Sequence, residues 1–232
     1  MIPKVIHLCW FSNEPFPVEI KICLASWKRI LPDYTIRKWT YQDAMAIGCD
    51  YITEALTARK WAFAADAVRF YALYKEGGIY MDSDILLEKR FDEFLPKRGF
   101  ATFNELWGVL LLQAAFLIGE AGNSYCGEVF EYYNQRHFLQ PDGSYDMLVS
   151  PKIMVFIAEK RGYRREDVEQ RLGDDLIIYP SRYISPCKRL HSPEAFAHHQ
   201  VYGSWRQHHL GRRFERLLKH WVLSIRFSLF KR

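Results

Sequence analysis

The sequence has few cysteines, and they follow none of the spacings that give cysteine a structural role. No two of them are separated by two residues, and their number is odd: Cys9, Cys23, Cys49, Cys126 and Cys187. A disulfide framework and a cysteine-based zinc site are therefore both disfavoured, and we expect the protein to work in a reducing compartment.

The sequence also lacks internal repeats, low-complexity segments and a secretory start. Residues 1–4 lead directly into an apolar, strand-like segment, without the basic start and long apolar stretch of a signal peptide. We therefore expect neither a signal peptide nor an N-terminal membrane anchor. A Gly-rich Walker-type segment that would cradle phosphates is missing as well, which argues against a P-loop enzyme.

The chain does contain enough apolar residues for one full core. Of its 232 residues, 49% are hydrophobic and 25% are charged, which fits a single globular α/β domain. The formal net charge of +5 is distributed unevenly. Residues 206–232 hold eight Lys or Arg and one acid, a net of +7, so the remaining 24 basic and 26 acidic residues give −2. We therefore predict a nearly neutral domain over residues 1–205 and a basic tail over residues 206–232.

Hydrophobic periodicity predicts that the domain begins with a β-α-β unit. Residues 4–10 form a short apolar run with the character of a buried strand, and residues 34–39 form a second one. Between them lies an apolar spacing typical of a helix, which ends at Pro32. Such a unit implies a parallel sheet with helices packed on it. Further helices are predicted over residues 57–76, 127–135 and 152–160, and further strands over residues 79–87 and 176–179.

Two carboxylates, Asp82 and Asp84, follow the apolar start of the strand predicted over residues 79–87. Residues two apart in an extended segment project from the same side, so the two carboxylates would point together. Such a pair is a common way to hold Mg²⁺ or Mn²⁺, and the ion can neutralise a diphosphate leaving group. The alternative is a surface turn, where Asp-x-Asp is frequent and binds nothing.

The helix before this strand carries a second polar pair. Asp66 and Arg69 are three residues apart and therefore share one face of an otherwise apolar helix. That face would bring a carboxylate and a guanidinium close to Asp82 and Asp84. The alternative is an ordinary structural ion pair within the helix.

The segment from Ala65 to Asp84, ADAVRFYALYKEGGIYMDSD, resembles the signature of the DXD-containing sugar transferases. That family includes bacterial capsular-polysaccharide transferases, fungal initiating α-1,6-mannosyltransferases and the glucosylating domains of large clostridial toxins. Residues 2–10, IPKVIHLCW, are similar to its N-terminal strand, and residues 198–205, HHQVYGSW, to its C-terminal His-x-x-x-Gly-Ser-Trp element. The three blocks stand in the family's order, and the capsular-type members are the most similar.

The resemblance implies a GT-A (Rossmann-like) nucleotide-sugar-binding fold, a nucleoside-diphosphate sugar donor, Mn²⁺ or Mg²⁺ as cofactor, and retention of the anomeric configuration. It implies that Asp84 binds the metal directly, while Asp82 acts through water or through the ribose and sugar of the donor. Asp66 and Arg69 would hold donor hydroxyls and phosphate. Electrostatic stabilisation would come from the metal and Arg69, which places Asp82, Asp84 and Arg69 in the catalytic set without a nucleophile or base.

The resemblance also assigns aromatic residues to the donor. Tyr80 would line the nucleotide pocket, and Trp10 would stack on the base, although core packing is the alternative for a single tryptophan. The C-terminal element would close the site, with Ser204 and Trp205 contacting the diphosphate.

A histidine of the same element could complete the metal shell, because imidazole suits Mn²⁺ and similar ions. His199 is the first choice and His198 the second. A surface or core histidine without a ligand is the alternative.

The segment after the predicted metal site departs from the family's pattern. Residues 110–116 are more apolar than is usual there, which leaves acceptor-side residues unassigned. Asn104 and Glu105 could face the acceptor, but solvated polar residues of a loop are the simpler interpretation. Ser150 is most simply interpreted as the cap at the entry of a helix.

The basic tail has the apolar spacing of a helix over residues 212–230, with Arg and Lys beside Trp, Phe and Leu. Such a face is typical of a helix that lies at a membrane surface, and charges interrupt it too often for a transmembrane span. A terminal helix packed on the domain or at an oligomer contact is the alternative. Nucleic-acid binding is disfavoured, because the basic residues form one short helix on a neutral body.

The sequence thus predicts a hexosyltransferase that moves a hexose or N-acetylhexosamine from a UDP-sugar, in preference to a GDP-sugar, to a glycan acceptor. A lipid-linked acceptor in surface polysaccharide synthesis, at the inner face of the cytoplasmic membrane, would explain the tail. Two alternatives stay open: a metal-dependent phosphoryl or nucleotidyl enzyme, and a non-catalytic glycan- or membrane-binding module. A phosphoryl or nucleotidyl enzyme would need further acidic ligands or a phosphate-binding loop. The presence of Asp66, Arg69, Asp82 and Asp84 argues against a non-catalytic module.

Overall fold

The computed structural model describes residues 1–185 and 192–201. The helices in these ranges are α1 (Val18–Ile30), α2 (Tyr41–Met45), α3 (Asp50–Thr57), α4 (Trp61–Glu76), α5 (Ser124–Asn134) and α6 (Ser150–Glu159), with single 3-10 turns at Asp92–Phe94 and Ser181–Tyr183. The strands are β1 (Val5–Cys9), β2 (Thr35–Trp39), β3 (Gly78–Met81), β4 (Ile85–Leu87), β5 (Phe100–Trp107), β6 (Val109–Leu112), β7 (Phe116–Gly119), β8 (Gln170–Leu172), β9 (Leu176–Tyr179), β10 (Ile184–Ser185) and β11 (Ala197–His199).

The main sheet has the order β2-β1-β3-β7-β5-β9-β8, and β6 pairs with β5 beside this path. Strand β1 is parallel to both β2 and β3, as is β5 to β9. Strand β7 runs antiparallel to both of its neighbours, β3 and β5. The predicted β-α-β start is confirmed, and the sheet as a whole is mixed.

A second, three-stranded sheet has the order β10-β11-β4. Strands β4 and β11 are antiparallel, and their register sets His199 opposite Ile85. Because β4 begins directly after residue 84, this pairing brings the 197–199 segment to the predicted metal site.

The prediction of one continuous strand over residues 79–87 is wrong for residues 82–84. Strand β3 ends at Met81, and residues 82–84 form a turn in which the Ile85 N–H donates to the Asp82 carbonyl at 3.0 Å. Strand β4 then joins the second sheet. Asp82 and Asp84 are therefore brought together by a turn between two sheets and not by the alternation of one strand.

The helix predicted over residues 57–76 is also interrupted. Helix α3 ends at Thr57 and α4 begins at Trp61, because Arg59 adopts the left-handed conformation with φ of 54°. The N–H of Lys60 donates to the Ala55 carbonyl at 2.8 Å, and the N–H of Arg59 donates to the Leu56 carbonyl at 3.0 Å. These two bonds form a Schellman motif, which ends a helix and here uses arginine where glycine is usual.

The two apolar clusters of the core lie on opposite sides of the main sheet. Side chains of β3 alternate between them: Ile79 and Met81 join the cluster that includes Trp27 of α1, and Tyr80 joins the cluster that includes α4. Tyr80 therefore faces the helix that carries Asp66 and Arg69. Among the helices that the structure describes, none combines the length and the apolar character needed to cross a bilayer.

A pair of glycines, Gly77 and Gly78, follows α4 and ends the helix. Gly77 is the C-cap of α4 with φ of 65°, and Gly78 has φ of 111°. A side chain at Gly78 would bring its Cβ to 2.6 Å from the Val5 carbonyl oxygen, so β3 can lie against β1 only with glycine there. The pair thus sets both the end of α4 and the start of the strand that leads to Asp82.

A fully buried histidine ties β1 to this corner. The Trp39 indole N–H donates to Nδ1 of His7 at 3.1 Å, which makes Nε2 the protonated nitrogen, and Nε2 lies 2.8 Å from the Gly77 carbonyl. Burial lowers the pKa of His7, with partial opposition from its bond to Gly77. His7 is therefore neutral in the folded protein.

We expect the stability of the fold to fall as the pH drops below about 6.5, the ordinary pKa of histidine. The unfolded chain then binds a proton at His7 that the folded chain binds less readily, so the loss is at most about 1.4 kcal/mol per pH unit in that range. Thermal unfolding of the wild type and His7→Gln at pH 7.5 and 5.5 measures it, because glutamine can accept from Trp39 and donate to Gly77 without titrating. An equal loss of melting temperature in both proteins would contradict this role.

Candidate active site

The turn at residues 82–84 stands at the carboxyl end of β3, in the region where the main and second sheets meet. The Asp82 N–H donates to the Ala115 carbonyl at 2.8 Å, and the Gln200 N–H donates to the Asp84 carbonyl at 3.1 Å. The backbone of the turn is therefore fixed from both sides. The Asp82 and Asp84 side chains are 27% and 15% exposed, so both carboxylates remain accessible from solvent.

Asp82, Asp84 and His199 offer ligand atoms that all lie within 4.8 Å of one another. Nε2 of His199 is 3.6 Å from Oδ1 of Asp84. Two carboxylates and one imidazole are a donor set that suits Mn²⁺ and related divalent ions. The residues predicted as metal ligands thus fit such an ion, and Asp84 and His199 lie next to each other.

The alternation of β11 separates the two candidate histidines. His198 is 1% exposed and points to the other face, where its Nε2 lies 3.0 Å from Oε1 of Glu88. His199 faces Asp84. The structure therefore brings the first-choice histidine to the site and directs the second away from it.

Negative charge dominates the surroundings of His199. Its Nδ1 lies 3.6 Å from Oε1 of Glu105, opposite the nitrogen that faces Asp84. Burial lowers the pKa of His199. Asp84 and then Glu105 raise it, and together the acids outweigh burial, so that the pKa is about 9. A cluster in which acids outnumber the single imidazole attracts cations, which is what a metal site needs.

Arg69 contacts Asp82 and binds several other groups at the same time. Nη2 is 2.8 Å from Oδ1 of Asp66 and 3.5 Å from Oδ1 of Asp82. Nη1 donates to the Ala114 carbonyl at 2.6 Å, and Nε to the Ala65 carbonyl at 3.1 Å. The side chain is only 5% exposed, so its N–H groups are directed at these protein partners and hold α4 against Ala114 and Asp82.

Asp66 is held in turn by the start of α6. The Ser150 hydroxyl donates to Oδ1 of Asp66 at 2.8 Å, and the Ser150 N–H donates to Oδ2 at 3.3 Å. Burial raises the pKa of Asp66, although Arg69 and Ser150 oppose the shift. The interpretation of Ser150 as a helix cap is wrong: it is the first residue of α6, and the cap position is Val149.

Tyr80 is a buried hydrogen-bond partner of Asp82. It is 1% exposed, its hydroxyl donates to Oδ1 of Asp82 at 2.8 Å, and the Arg69 guanidinium lies 4.8 Å from its ring centre. Burial raises the pKa of this hydroxyl well above its usual value, so it remains a donor. The resemblance implied that Tyr80 would line the nucleotide pocket. In the structure Tyr80 is buried and contacts Asp82 instead.

Trp10 follows β1, which is parallel to β3 and adjacent to it, so Trp10 and Asp82 lie at the same edge of the sheet. Trp10 is half-buried, packs on Phe16 with a ring-centre distance of 4.7 Å, and donates its indole N–H to the Glu14 carbonyl. It borders a cleft of about 290 Å³ that also includes Tyr41. The structure thus gives Trp10 an accessible, partly apolar cleft instead of a place in the core.

Two polar residues that the sequence assigned to a solvated loop are buried in β5. Asn104 is 1% exposed and accepts a hydrogen bond from the Tyr163 hydroxyl at 2.7 Å. Glu105 is 9% exposed and lies beside His199. The loop interpretation is wrong for both. Ser204, Trp205 and the tail over residues 206–232 lie outside the described residues, and their roles and the domain boundary stay predictions.

The comparison with protein families gives this geometry a context. Residues 17–101, which include α4 and the Asp82–Asp84 turn, match the family described as "Glycosyltransferase sugar-binding region containing DXD motif". The matched residues are well under half of the 232-residue chain, and over them the chain is similar to that family. The predicted resemblance to this family and the predicted enzyme class, a glycosyltransferase, are confirmed, and Asp82-Ser83-Asp84 has the Asp-x-Asp pattern that the family's description names.

Curated relatives of this glycosyltransferase are similar over different lengths. An uncharacterized glycosyltransferase of Acanthamoeba polyphaga mimivirus is 24% identical over 221 residues, which cover 90% of this chain and 85% of that protein. The inositol phosphoceramide mannosyltransferase 3 of Schizosaccharomyces pombe is 35% identical over 98 residues, which cover 40% of this chain. The matched part is only 27% of the fungal protein.

A solved structure supports the fold. The PaToxG glycosyltransferase superposes with a TM-score of 0.53 at 17% sequence identity, over 68% of this chain and 69% of that one. At this identity the likeness concerns the fold alone. The predicted α/β fold of the GT-A type is confirmed for this glycosyltransferase, while its predicted C-terminal helix lies outside the described residues.

Proposed function

We propose that this protein is a metal-dependent, retaining glycosyltransferase that moves a hexose or N-acetylhexosamine from a nucleoside-diphosphate sugar to a glycan acceptor. The observation that carries the proposal is the convergence of Asp82, Asp84 and His199, whose ligand atoms lie within 4.8 Å of one another. The two aspartates lie within the residues that match the DXD family. Arg69, 3.5 Å from Asp82, adds a fixed positive charge to the same place.

The proposed roles follow from the position of each group. Asp84 and His199 would bind Mn²⁺ or Mg²⁺, with Asp82 as a further ligand or a partner of the donor. When bound, the ion supplies positive charge to the diphosphate that leaves the sugar. Arg69 and Tyr80 keep Asp82 in place, and this preorganisation avoids reorienting the groups during the reaction.

The cleft at Trp10 is the proposed position of the nucleotide base. It lies at the edge of the sheet where β1 and β3 end, and Phe16 and Tyr41 give it further aromatic surface. A planar base can stack on such a surface. We favour a UDP-sugar over a GDP-sugar as donor, and Ser204 and Trp205 as contacts of its diphosphate.

Thermal-shift titration with UDP, GDP and their sugars, with and without Mn²⁺, tests the proposal. Stabilisation by one nucleotide sugar that requires Mn²⁺, together with release of free sugar over time, would support it. Release of inorganic phosphate or pyrophosphate instead would point to the phosphoryl or nucleotidyl enzyme. Binding without turnover would point to the non-catalytic module, and no stabilisation by any donor would contradict a donor site.

We further propose a lipid-linked acceptor in surface polysaccharide synthesis, with the protein held at the inner face of the cytoplasmic membrane through residues 212–230. The fungal relative is named as a mannosyltransferase of inositol phosphoceramide. The tail carries a net charge of +7 over residues 206–232. Each basic residue near an anionic surface contributes about 1 kcal/mol of attraction.

We expect the full chain to sediment with vesicles that contain anionic lipid, and a chain ending at residue 205 to remain largely in the supernatant. Vesicles of neutral lipid and an increase in salt serve as controls, because the attraction is electrostatic and is screened. Equal sedimentation of the two chains with anionic vesicles would rule out the tail as the membrane contact.

A further inference from the structure

Both ring nitrogens of His199 face a carboxylate. Nε2 lies 3.6 Å from Oδ1 of Asp84, and Nδ1 lies 3.6 Å from Oε1 of Glu105. Nδ1 is a buried atom without a hydrogen bond in the part of the chain that the structure describes, so Glu105 is placed to become its partner after a small closure. The two carboxylates therefore differ in their relation to the proposed metal: Asp84 shares the cluster of ligand atoms, and Glu105 lies behind the imidazole.

Glu105 is itself held by a buried amide. Nε2 of Gln113 donates to Oε1 of Glu105 at 2.7 Å, and Oε1 of Gln113 accepts from the Ala115 N–H at 2.8 Å. A backbone N–H can only donate, so the orientation of the Gln113 amide is fixed and its NH₂ group must face Glu105. Gln113 is 2% exposed, which protects this arrangement from solvent.

The same short segment also holds the DXD turn. The Ala115 carbonyl accepts from the Asp82 N–H at 2.8 Å, while the Ala115 N–H holds Gln113. One residue between β6 and β7 thus connects the backbone of the turn to the carboxylate behind His199. Through it, the two chain segments that supply the proposed ligands are positioned relative to each other.

We propose that Glu105 is a positioning residue for the metal site, which accepts the Nδ1–H of His199 and leaves Nε2 for the divalent cation. Gln113 fixes Glu105 for this role. Metal-binding histidines usually donate their second N–H to a carboxylate or a carbonyl, and removal of that partner commonly lowers metal affinity 10- to 100-fold. The inference rests on the proposed function, because it concerns the same metal site.

Titration of the full chain with Mn²⁺, followed by the electron paramagnetic resonance signal of the free ion, tests the proposal. We expect Glu105→Gln to bind Mn²⁺ about 10- to 100-fold more weakly than the wild type. Glu88→Gln is a matched control, because Glu88 makes a similar contact, 3.0 Å, with His198 on the opposite face of the same strand. We expect it to bind Mn²⁺ as the wild type does.

The outcomes separate this inference from the proposed function. Weaker binding in Glu105→Gln with unchanged binding in Glu88→Gln supports the positioning role. Wild-type affinity in Glu105→Gln, with affinity lost in Asp84→Ala, would overturn the role of Glu105 and leave the metal site in place. Absence of Mn²⁺ binding by the wild type would overturn both.

A second measurement does not depend on the folding of a variant. Nitrogen NMR of the histidine side chains in the wild type, with the diamagnetic ion Zn²⁺ as probe, reports which nitrogen of His199 carries the proton. We expect the proton on Nδ1 and the ion on Nε2. The reverse assignment would overturn the proposal.

Discussion

Replacement of Asp84 by alanine is expected to lower donor hydrolysis about 10³-fold and to abolish stabilisation of the protein by Mn²⁺. Oδ1 of Asp84 lies 3.6 Å from Nε2 of His199, and both residues belong to the proposed ligand set. Loss of the bound ion removes several kcal/mol of stabilisation from the developing diphosphate charge, and each 1.4 kcal/mol is about tenfold in rate.

The control for Asp84→Ala is Asp175→Asn. Asp175 precedes β9 at the amino end of that strand, where its carboxylate accepts from the Ser124 hydroxyl at 2.7 Å. Strands β3, β5 and β9 all run in the same direction, so Asp175 lies at the sheet edge opposite the DXD turn. Asp175→Asn is expected to keep the response to Mn²⁺. Equal hydrolysis by Asp84→Ala and the wild type would remove the metal role of Asp84.

The second large effect is expected at Arg69. Removal of its side chain in Arg69→Ala leaves Asp66 and Asp82 without their cation, and breaking such a buried pair costs about 3 kcal/mol or more of folding free energy. Arg69→Lys keeps the charge, but one ammonium group cannot reach Ala65, Ala114 and both aspartates as the guanidinium does. We therefore expect Arg69→Lys to remain folded and to lose about 10²-fold in donor hydrolysis, since misplacement of about 1 Å has effects of that size.

Thermal unfolding and donor hydrolysis, measured on the same samples, separate the two Arg69 variants. The control is Arg90→Lys, because Arg90 pairs with Asp33 and Asp92 at the surface, where its side chain is 40% exposed and where ion pairs contribute little. Arg90→Lys is expected to match the wild type in activity. Hydrolysis by Arg69→Lys at the wild-type rate would show that the fixed geometry of the guanidinium is dispensable.

Parts of the fold with strong periodicity could be predicted from the sequence. Strands β1 and β2, helices α1, α5 and α6, and strand β9 follow the predicted ranges closely, because each buries one regular apolar face or run. The break before α4 gave no such signal: Arg59 takes a left-handed conformation that sequence patterns associate with glycine. The turn at residues 82–84 was hidden by the apolar residues on both sides of it, which continue the strand pattern while they belong to two different sheets.

Strand β5 was missed because polar residues interrupt its apolar pattern, and the short apolar strands β6 and β7 are separated by a segment that contains Gln113. Thr102, Asn104, Glu105 and Gln113 are all buried, and each finds its hydrogen-bond partner within the fold. Thr102, for example, donates to the Gln113 carbonyl at 2.8 Å. A buried polar residue costs little when it is paired, but its partner is set by the tertiary structure and not by local spacing.

Only those parts of the candidate site that depend on local spacing or on the family resemblance could be predicted from the sequence. The spacing of Asp66 and Arg69 indicated a contact on one helix face, and the structure gives 2.8 Å between them. The likeness to a known family assigned His199, whose contact with Asp84 no local pattern could show. The support by Ser150, Glu105 and Gln113 depends on segments far apart in the chain, so it was accessible only from the structure.

The most direct measurement is a screen of donor hydrolysis by the wild type, with UDP- and GDP-sugars in the presence of Mn²⁺ and then of EDTA. The proposed function predicts release of free sugar from one preferred donor, loss of that release in EDTA, and its recovery when Mn²⁺ is returned in excess. No release from any donor, or release that EDTA does not change, would contradict a metal-dependent glycosyltransferase site at Asp82, Asp84 and His199.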